Sequence, residues 1–533
     1  MYFHSENQPK LSAKEPNQPL LLTNCRVVTD TPPATLQHDS VILLKDGKIA
    51  FVGYERLLGG IKATRLDLAG TVVTPGLCDA HMHLAAGGQA LSIPDLTKLD
   101  RDAVEILLKR AATDLRDDPT AWVEAFNWDE DFCHLDADIL EAWVPNRMVV
   151  VHKRDLHGCC CNRTALSRTG IDRLHGDPDG GKIGRAGDNR PNGMLYEHAV
   201  GILLHARPPV TSTTKRGFIL AAQKYLTSLG VTAVGEVLDA GNAEHYMELD
   251  ASGDLKIEVD GWQRIEHWDG TPPKITGNRF NVNTLKLFLD GSFGSKTAAL
   301  YEPFSDTGDD SGMLLYSDEQ LSELFTKAVK AGWRLAIHAI GDRAAEQACR
   351  VLAKTPKPIK GLNRIEHLQL LPKTGCDCVA ASGAAASIQP VHLLDDQVWL
   401  PARIGADRCL RSFVWRSLLD RGVEIAIGSD WPVASPDPLL NIHTAINRAP
   451  FSGTAHPMFD QREALAPMEA IRTASWGYAV VTGTSDRRGS VAAGYDADLT
   501  VISGLDDDLR DWSKAKTVLT ITGGEVVFDL STN

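Results

Sequence analysis

The chain has no excess of basic residues: 55 Lys and Arg stand against 69 Asp and Glu, for a formal net charge of −14. Such a balance repels a phosphate backbone and excludes nucleic acid as an expected partner. There is no run of 18 or more apolar residues, so neither a membrane-spanning helix nor a membrane partner is expected. The segment 1–19 is polar and lacks the apolar core of a secretory signal, and it reads as a flexible lead-in. The ten cysteines are scattered, apart from the run Cys159-Cys160-Cys161 and the pair Cys376 and Cys378. In a large chain without a secretory signal they read as reduced thiols of a cytoplasmic protein. Neighbouring side chains on an extended segment point to opposite faces, so the triple run reads as small buried hydrophobes, not as a soft-metal site. Repeats of fixed period and low-complexity tracts are absent as well.

What is present fits a large globular chain. Of 533 residues, 43% are hydrophobic and 23% charged, enough for a substantial core. That length exceeds one ordinary domain, unless the domain is a large α/β barrel with additions. Short β runs occupy 20–75: Cys25 to Val28, Ser40 to Leu44 and Lys48 to Gly53, the last two joined by an Asp46-Gly47 hairpin signal. Similar runs, Asp498 to Ile502 and Thr517 to Phe528, occupy 485–533. Both ends are therefore expected to build one β-sandwich domain around a central body at 76–484. That body alternates strands and amphipathic helices, the pattern of βα units on a parallel sheet. Helices are expected at Thr213 to Leu229, Ser317 to Ala331 (with a Ser317/Gln320 capping box), Arg343 to Leu352 and Pro467 to Val480. Strands are expected at Gly230 to Val234, Leu285 to Leu289, Leu335 to Ile337, from Ile365, and at Glu424 to Ile427. A less regular stretch, about 91–210, reads as an insertion.

The strongest local signal is Thr74-Pro75-Gly76-Leu77-Cys78-Asp79-Ala80-His81-Met82-His83. On an extended segment His81 and His83 share a face, and two imidazoles on one face form half of a metal site. Each later strand of the series adds one residue with ligand chemistry: Lys286, His338, His367 and Asp430. Taken singly, His338 reads more easily as a core histidine, Lys286 as a snorkelling lysine and Asp430 as a turn aspartate. Taken together, in order and at strand ends, they fall where parallel barrels keep their active sites.

This order resembles the amidohydrolase superfamily, and the surrounding text resembles its YtcJ-like, amidohydrolase-3 branch. The matching stretches include Lys286 to Ser292, Ala336 to Ala344, Arg364 to Leu368, Ser387 to His392, Gly428 to Pro432 and Gly489 to Leu499. The resemblance implies an α/β fold, a distorted (β/α)8 TIM barrel with a composite β-sandwich. It also implies metal positions at His81, His83, His338, His367 and Asp430. Lys286 matches a lysine that is carboxylated and bridges two metals in binuclear members. Two departures stand out: Thr232 to Val237 carries Glu236 where the branch tends to place a His-Asp pair, and the Cys159 to Cys161 run sits where more ordinary residues are expected.

The expected cofactor is one or two divalent metal ions, zinc first, because imidazoles with a carboxylate or carbamate suit it. Asp430 is expected to serve as general base. His392, Asp342 and Arg343 lie next to strand ends as expected substrate contacts, and Trp128 and His157 of the insertion are expected to line the pocket. Three functions follow: hydrolysis of an amide, formamide or N-acyl bond; deamination of a cyclic amidine at one metal; or a binding protein that kept the fold. The partner expected is a small molecule, and a homodimer is a common assembly of such folds.

Overall fold

The computed structural model describes residues 18–29, 35–118, 120–130, 132–153, 157–207, 210–239 and 241–532. Most of the expected lead-in at 1–19 lies outside them. They form two compact units, the first from the described residues within 1–84, 222–290 and 298–533, the second from those within 85–221 and 291–297. Among the described residues no helix is long and apolar enough to cross a membrane.

The first unit contains a barrel of eight parallel strands hydrogen-bonded in chain order. They are β1 (Leu77–Met82), β2 (Val231–Leu238), β3 (Glu258–Arg264), β4 (Phe280–Phe288), β5 (Arg334–Ala339), β6 (Arg364–His367), β7 (Ala385–Ile388) and β8 (Ile425–Ile427). Strands covered on both faces need apolar side chains throughout, and every residue of β2 is buried. The seam between β8 and β1 is narrow. Asp430 N–H donates to His81 C=O at 2.7 Å, and His83 N–H donates to Trp431 C=O at 2.7 Å. Asp79 Oδ1 accepts from His81 N–H at 3.1 Å and from Ser429 N–H at 3.0 Å, tying both strands to one carboxylate.

The same unit holds an eight-stranded sheet drawn from both ends of the chain. Val72–Pro75 pairs parallel with Leu20–Thr29 and antiparallel with Leu499–Ser503, which is followed by Lys516–Thr522 and Glu525–Asp529. On the other side lie Thr35–Lys45 and Lys48–Tyr54. Leu20, Leu22, Val27, Ile42, Val73, Leu499, Val501 and Ile521 share one buried core there.

Helices follow the barrel strands. Asp318–Lys330 begins at a full capping box of Ser317 with Gln320. The expected helix at Pro467 to Val480 is instead two, Pro467–Thr473 and Trp476–Thr482. The break has a visible cause: Ala474 C=O, which would have continued the helix, accepts Cys78 N–H of β1 at 2.7 Å. Gly477 then approaches β8 so closely that a Cβ would lie 2.1 Å from Ile425 O.

The second unit holds a five-stranded sheet in the order Gly181–Arg185, Pro191–Glu197, Gly158–Cys161, Val149–Lys153, Val123–Trp128. Cys160 packs in one apolar cluster with Trp128 and Val151, whereas Cys159 and Cys161 pack in another with Val150 and Leu195. The alternation of a strand thus separates the three thiols, all of which are buried.

Candidate metal centre

Residues at or just beyond the C-terminal ends of the barrel strands converge on one buried cluster. One nitrogen each of His81 and His367 and one oxygen of Asp430 lie within 4.8 Å of one another. Asp430 Oδ1 is 3.5 Å from His81 Nε2 and 3.3 Å from His83 Nε2. Lys286 Nζ of β4 is 3.4 Å from His81 Nε2. The ring of His338 on β5 lies edge-on to His367, with centroids 4.5 Å apart. All six residues expected at the metal positions therefore meet in this region.

Two of them require unusual backbone. Alternation along β6 would place Glu366 and His367 on opposite faces, yet both reach His81, at 2.9 Å and at 5.0 Å between rings respectively. The reversal comes from left-handed backbone, φ +74° at His367 and +47° at Leu368. Asp430 has φ +61°. Such conformations cost on the order of 1–3 kcal/mol each in a residue with a side chain and gather at functional sites.

The charge states of His81, His367 and Asp430 suit a divalent ion, whereas at His83 the Asp430 carboxylate outweighs burial and raises the imidazole above its ordinary range. Burial, with Lys286 adding to it, pushes His81 down to about 4, leaving its imidazole neutral at neutral pH. Burial and the neighbouring His338 take His367 well below its ordinary range. For Asp430 burial acts in the opposite sense, but His81, His83 and His367 outweigh it and keep the carboxylate ionised. Neutral imidazoles and an ionised carboxylate are the forms that bind metal. His367 Nδ1 is buried without a hydrogen-bond partner among the described residues, as an atom reserved for a ligand would be. The donor set fits a metal ion.

The other expected contacts are placed differently. His392, on the helix Pro390–Ile404 after β7, lies 6.1 Å from the His367 ring, with Nδ1 3.2 Å from Gln369 Nε2 and Nε2 3.3 Å from Ser429 O. Asp342 is turned to Tyr301 N–H at 3.1 Å and to Arg411 at 3.8 Å. Arg343 is exposed and lines a groove of about 610 Å³ with Tyr301, Tyr316, Gln347 and Arg350. Trp128 and His157 belong to the second unit. Trp128 is buried and its Nε1 donates to Cys133 O at 2.7 Å, while His157 Nδ1 is 3.0 Å from Glu197 Oε1.

Three acids had no role in the sequence reading, and a fourth, Glu236, stood there only as a departure from the branch pattern. Glu366 adjoins His81, and Asp79 ties β1 to β8. Asp290 accepts the N–H groups of Ala299, Ile340 and Gly341 at 2.8–3.0 Å, fixing the turn after His338. Glu236 accepts Leu84 N–H and, at 2.8 Å, the Tyr246 hydroxyl. Each is a charged residue in or beside an otherwise apolar strand, which is the signal that could have found them.

Comparison with known proteins bears on the family and the fold. The model of the amidohydrolase family matches residues 65–528. YtcJ of Bacillus subtilis (strain 168) is 29% identical over 520 residues, covering 92% of this chain and 96% of that protein. The N-substituted formamide deformylase of Arthrobacter pascens is 27% identical, covering 86% and 89%. Among solved structures, an uncharacterized metal-dependent hydrolase from Pyrococcus horikoshii superposes with a TM-score of 0.75 at 24% identity, covering 93% of this chain and 99% of that one.

Proposed function

Given that this chain belongs to the amidohydrolase family and is a metal-dependent hydrolase of carbon–nitrogen bonds, we propose that it cleaves an amide, formamide or N-acyl bond of a small molecule. The observation that carries the proposal is the buried triad of His81, His367 and Asp430, with donor atoms within 4.8 Å, at the end of the barrel where parallel strands present catalytic groups. The formamide deformylase among its relatives supports this choice of bond. His81, His83, His338, His367 and Asp430 would hold the metal, with zinc the first choice for such donors. A divalent ion there supplies Lewis acidity and a nucleophile at neutral pH.

The chain's own residues do the rest. Asp430, ionised and next to the imidazoles, accepts the proton of the attacking water at its carboxylate and returns it to the leaving nitrogen. Transfers of this kind contribute about 10²–10⁴ in rate. Burial lowers the Lys286 amine to about 8. A larger share of free amine follows, and free amine is the form that would add carbon dioxide to give an oxygen donor for a metal ion. His392, beside His367, is the residue assigned to orient the substrate.

Elemental analysis of protein purified without chelator, followed by a screen of formamides, N-acyl amines and cyclic amidines, tests the reading. Near two ions per chain with amine release from a formamide or N-acyl compound is expected. One ion with ammonia release would replace it by the deaminase reading. No ion, and no turnover after metal is restored, would replace it by a binding role.

A further inference from the structure

A line of alternating buried charges runs through the barrel and ends on His81. Arg334 Nη2 of β5 is 2.6 Å from Asp260 Oδ1 of β3, whose Oδ2 accepts from Trp262 Nε1 at 3.0 Å. The Arg364 guanidinium of β6 sits over the Trp262 ring, 3.9 Å from its centre. Arg364 Nε is 3.0 Å from Glu366 Oε1, and Glu366 Oε2 is 2.9 Å from His81 Nδ1, close enough for a hydrogen bond though off its ideal line. None of Arg334, Asp260, Trp262, Arg364 and Glu366 is more than 6% exposed.

Such a line is a poor way to make a barrel stable. Buried ion pairs can often be replaced by apolar side chains of similar volume with no loss of stability. What these charges supply is direction. An imidazole has two nitrogens, and which of them offers its electron pair is set by what the other one holds. Ligating histidines characteristically give their second N–H to a carboxylate or carbonyl, which fixes both tautomer and ring orientation.

We infer that Glu366 is a positioning residue for the metal centre: its carboxylate accepts a hydrogen bond from the Nδ1–H of His81 and leaves Nε2, the nitrogen beside Asp430 and Lys286, as the donor. Arg364, held over Trp262, fixes Glu366 in turn. The inference rests on the reading of His81 as a metal ligand and assigns the residue that selects its ligating nitrogen. Glu366 itself touches neither metal nor substrate in this scheme.

The test separates positioning from mere charge balance. Glu366→Met keeps about the same volume and removes the acceptor but leaves Arg364 buried without its counter-charge, so the double variant Glu366→Met/Arg364→Met is made beside it to restore neutrality. Full-length protein is stripped of metal, and cobalt(II) affinity is measured by competition with a chromophoric chelator, together with the visible spectrum of the cobalt form and the melting temperature of the metal-free form. The expected result is a loss of about 10–100-fold in affinity and an altered cobalt spectrum in both variants, with the melting temperature of the double variant near that of the parent. Parental affinity and spectrum in the double variant would overturn the inference alone, because charge balance would then be all that Glu366 provides. A parent chain that binds no cobalt would overturn the metal-site reading itself, and this inference with it.

Discussion

Replacing Gly428 by alanine should disturb the metal centre without substituting a ligand. A Cβ built there would lie 2.6 Å from His81 N, 2.9 Å from its Cβ and 3.1 Å from its Cα, all groups of β1. Ordinary contact begins near 3.4 Å, so β8 and β1 must part by about 0.8 Å. The neighbouring hydrogen bonds, Asp430 N–H to His81 C=O at 2.7 Å and Ser429 N–H to Asp79 at 3.0 Å, would stretch towards breaking. Overpacking of this kind costs about 1–3 kcal/mol, which in a chain this long lowers the melting temperature by only a few degrees. Activity should suffer more, because a catalytic constellation tolerates only about 0.5 Å of displacement and a 1 Å error can cost about 100-fold. The assay is turnover of the best formamide or N-acyl substrate, with metal content after gel filtration and melting temperature measured on the same samples. Gly60→Ala, where nothing lies within 4 Å of the added carbon, is the matched control and should behave as the parent. Parental turnover and metal content in Gly428→Ala would refute the argument, since the seam would then not be holding the ligands in place.

Three other outcomes are expected. His81→Ala and Asp430→Asn should each abolish turnover and lower bound metal while the circular dichroism spectrum stays native; full activity in either variant would sink the proposed site. Metal-free protein should lose stability as pH falls from about 6.5 to about 4. Across that window His81 is protonated in the unfolded chain but neutral in the folded one, so the unfolded state binds more protons. Urea unfolding at several pH values checks the sign, and rising stability on acidification would refute it. Alkylation of native protein with iodoacetamide should reach the half-buried Cys376 and Cys378 but spare Cys159, Cys160 and Cys161, which are fully buried. Burial pushes Cys159 up to about 12. Peptide mass mapping before and after denaturation reads the difference, and modification of the triple run in the native state would contradict its placement in two separate cores.

Regular alternation made part of the site legible. His81 and His83 share a face because strand geometry says they must, and both approach Asp430 Oδ1. His338 and Lys286 are found within strands whose apolar neighbours marked them. His367 belongs in the cluster for a reason no pattern carries, since a left-handed residue turns its ring to the side where Glu366 already points. The strand Glu258–Arg264 went unread because Glu258 and Asp260 interrupt its apolar run. Those acids are paired inside the unit, with Arg487 and Arg334 at 2.6 Å each, and the partners lie far along the chain. The broken helix after Pro467 was hidden for the same reason: the group that ends it, Cys78 N–H, comes from the opposite end of the sequence. Local periodicity reveals what local forces decide, whereas the acids of that strand and the helix break are decided by contacts 74 to 396 residues apart.

The sheet shared by the two ends also sets a timetable. Val73 waits for Val501, its antiparallel partner 428 residues later. At about 5–20 residues per second, a ribosome needs on the order of 20–90 s to deliver the second strand after the first. Throughout that interval Val72–Pro75 offers a bare, apolar edge, the kind of surface on which chains join one another. Slow or interrupted synthesis should therefore harm this enzyme through aggregation before it harms the barrel. A ribosome-stalled chain ending before Leu499 should associate with holding chaperones, and should let go of them only once the closing strand has emerged.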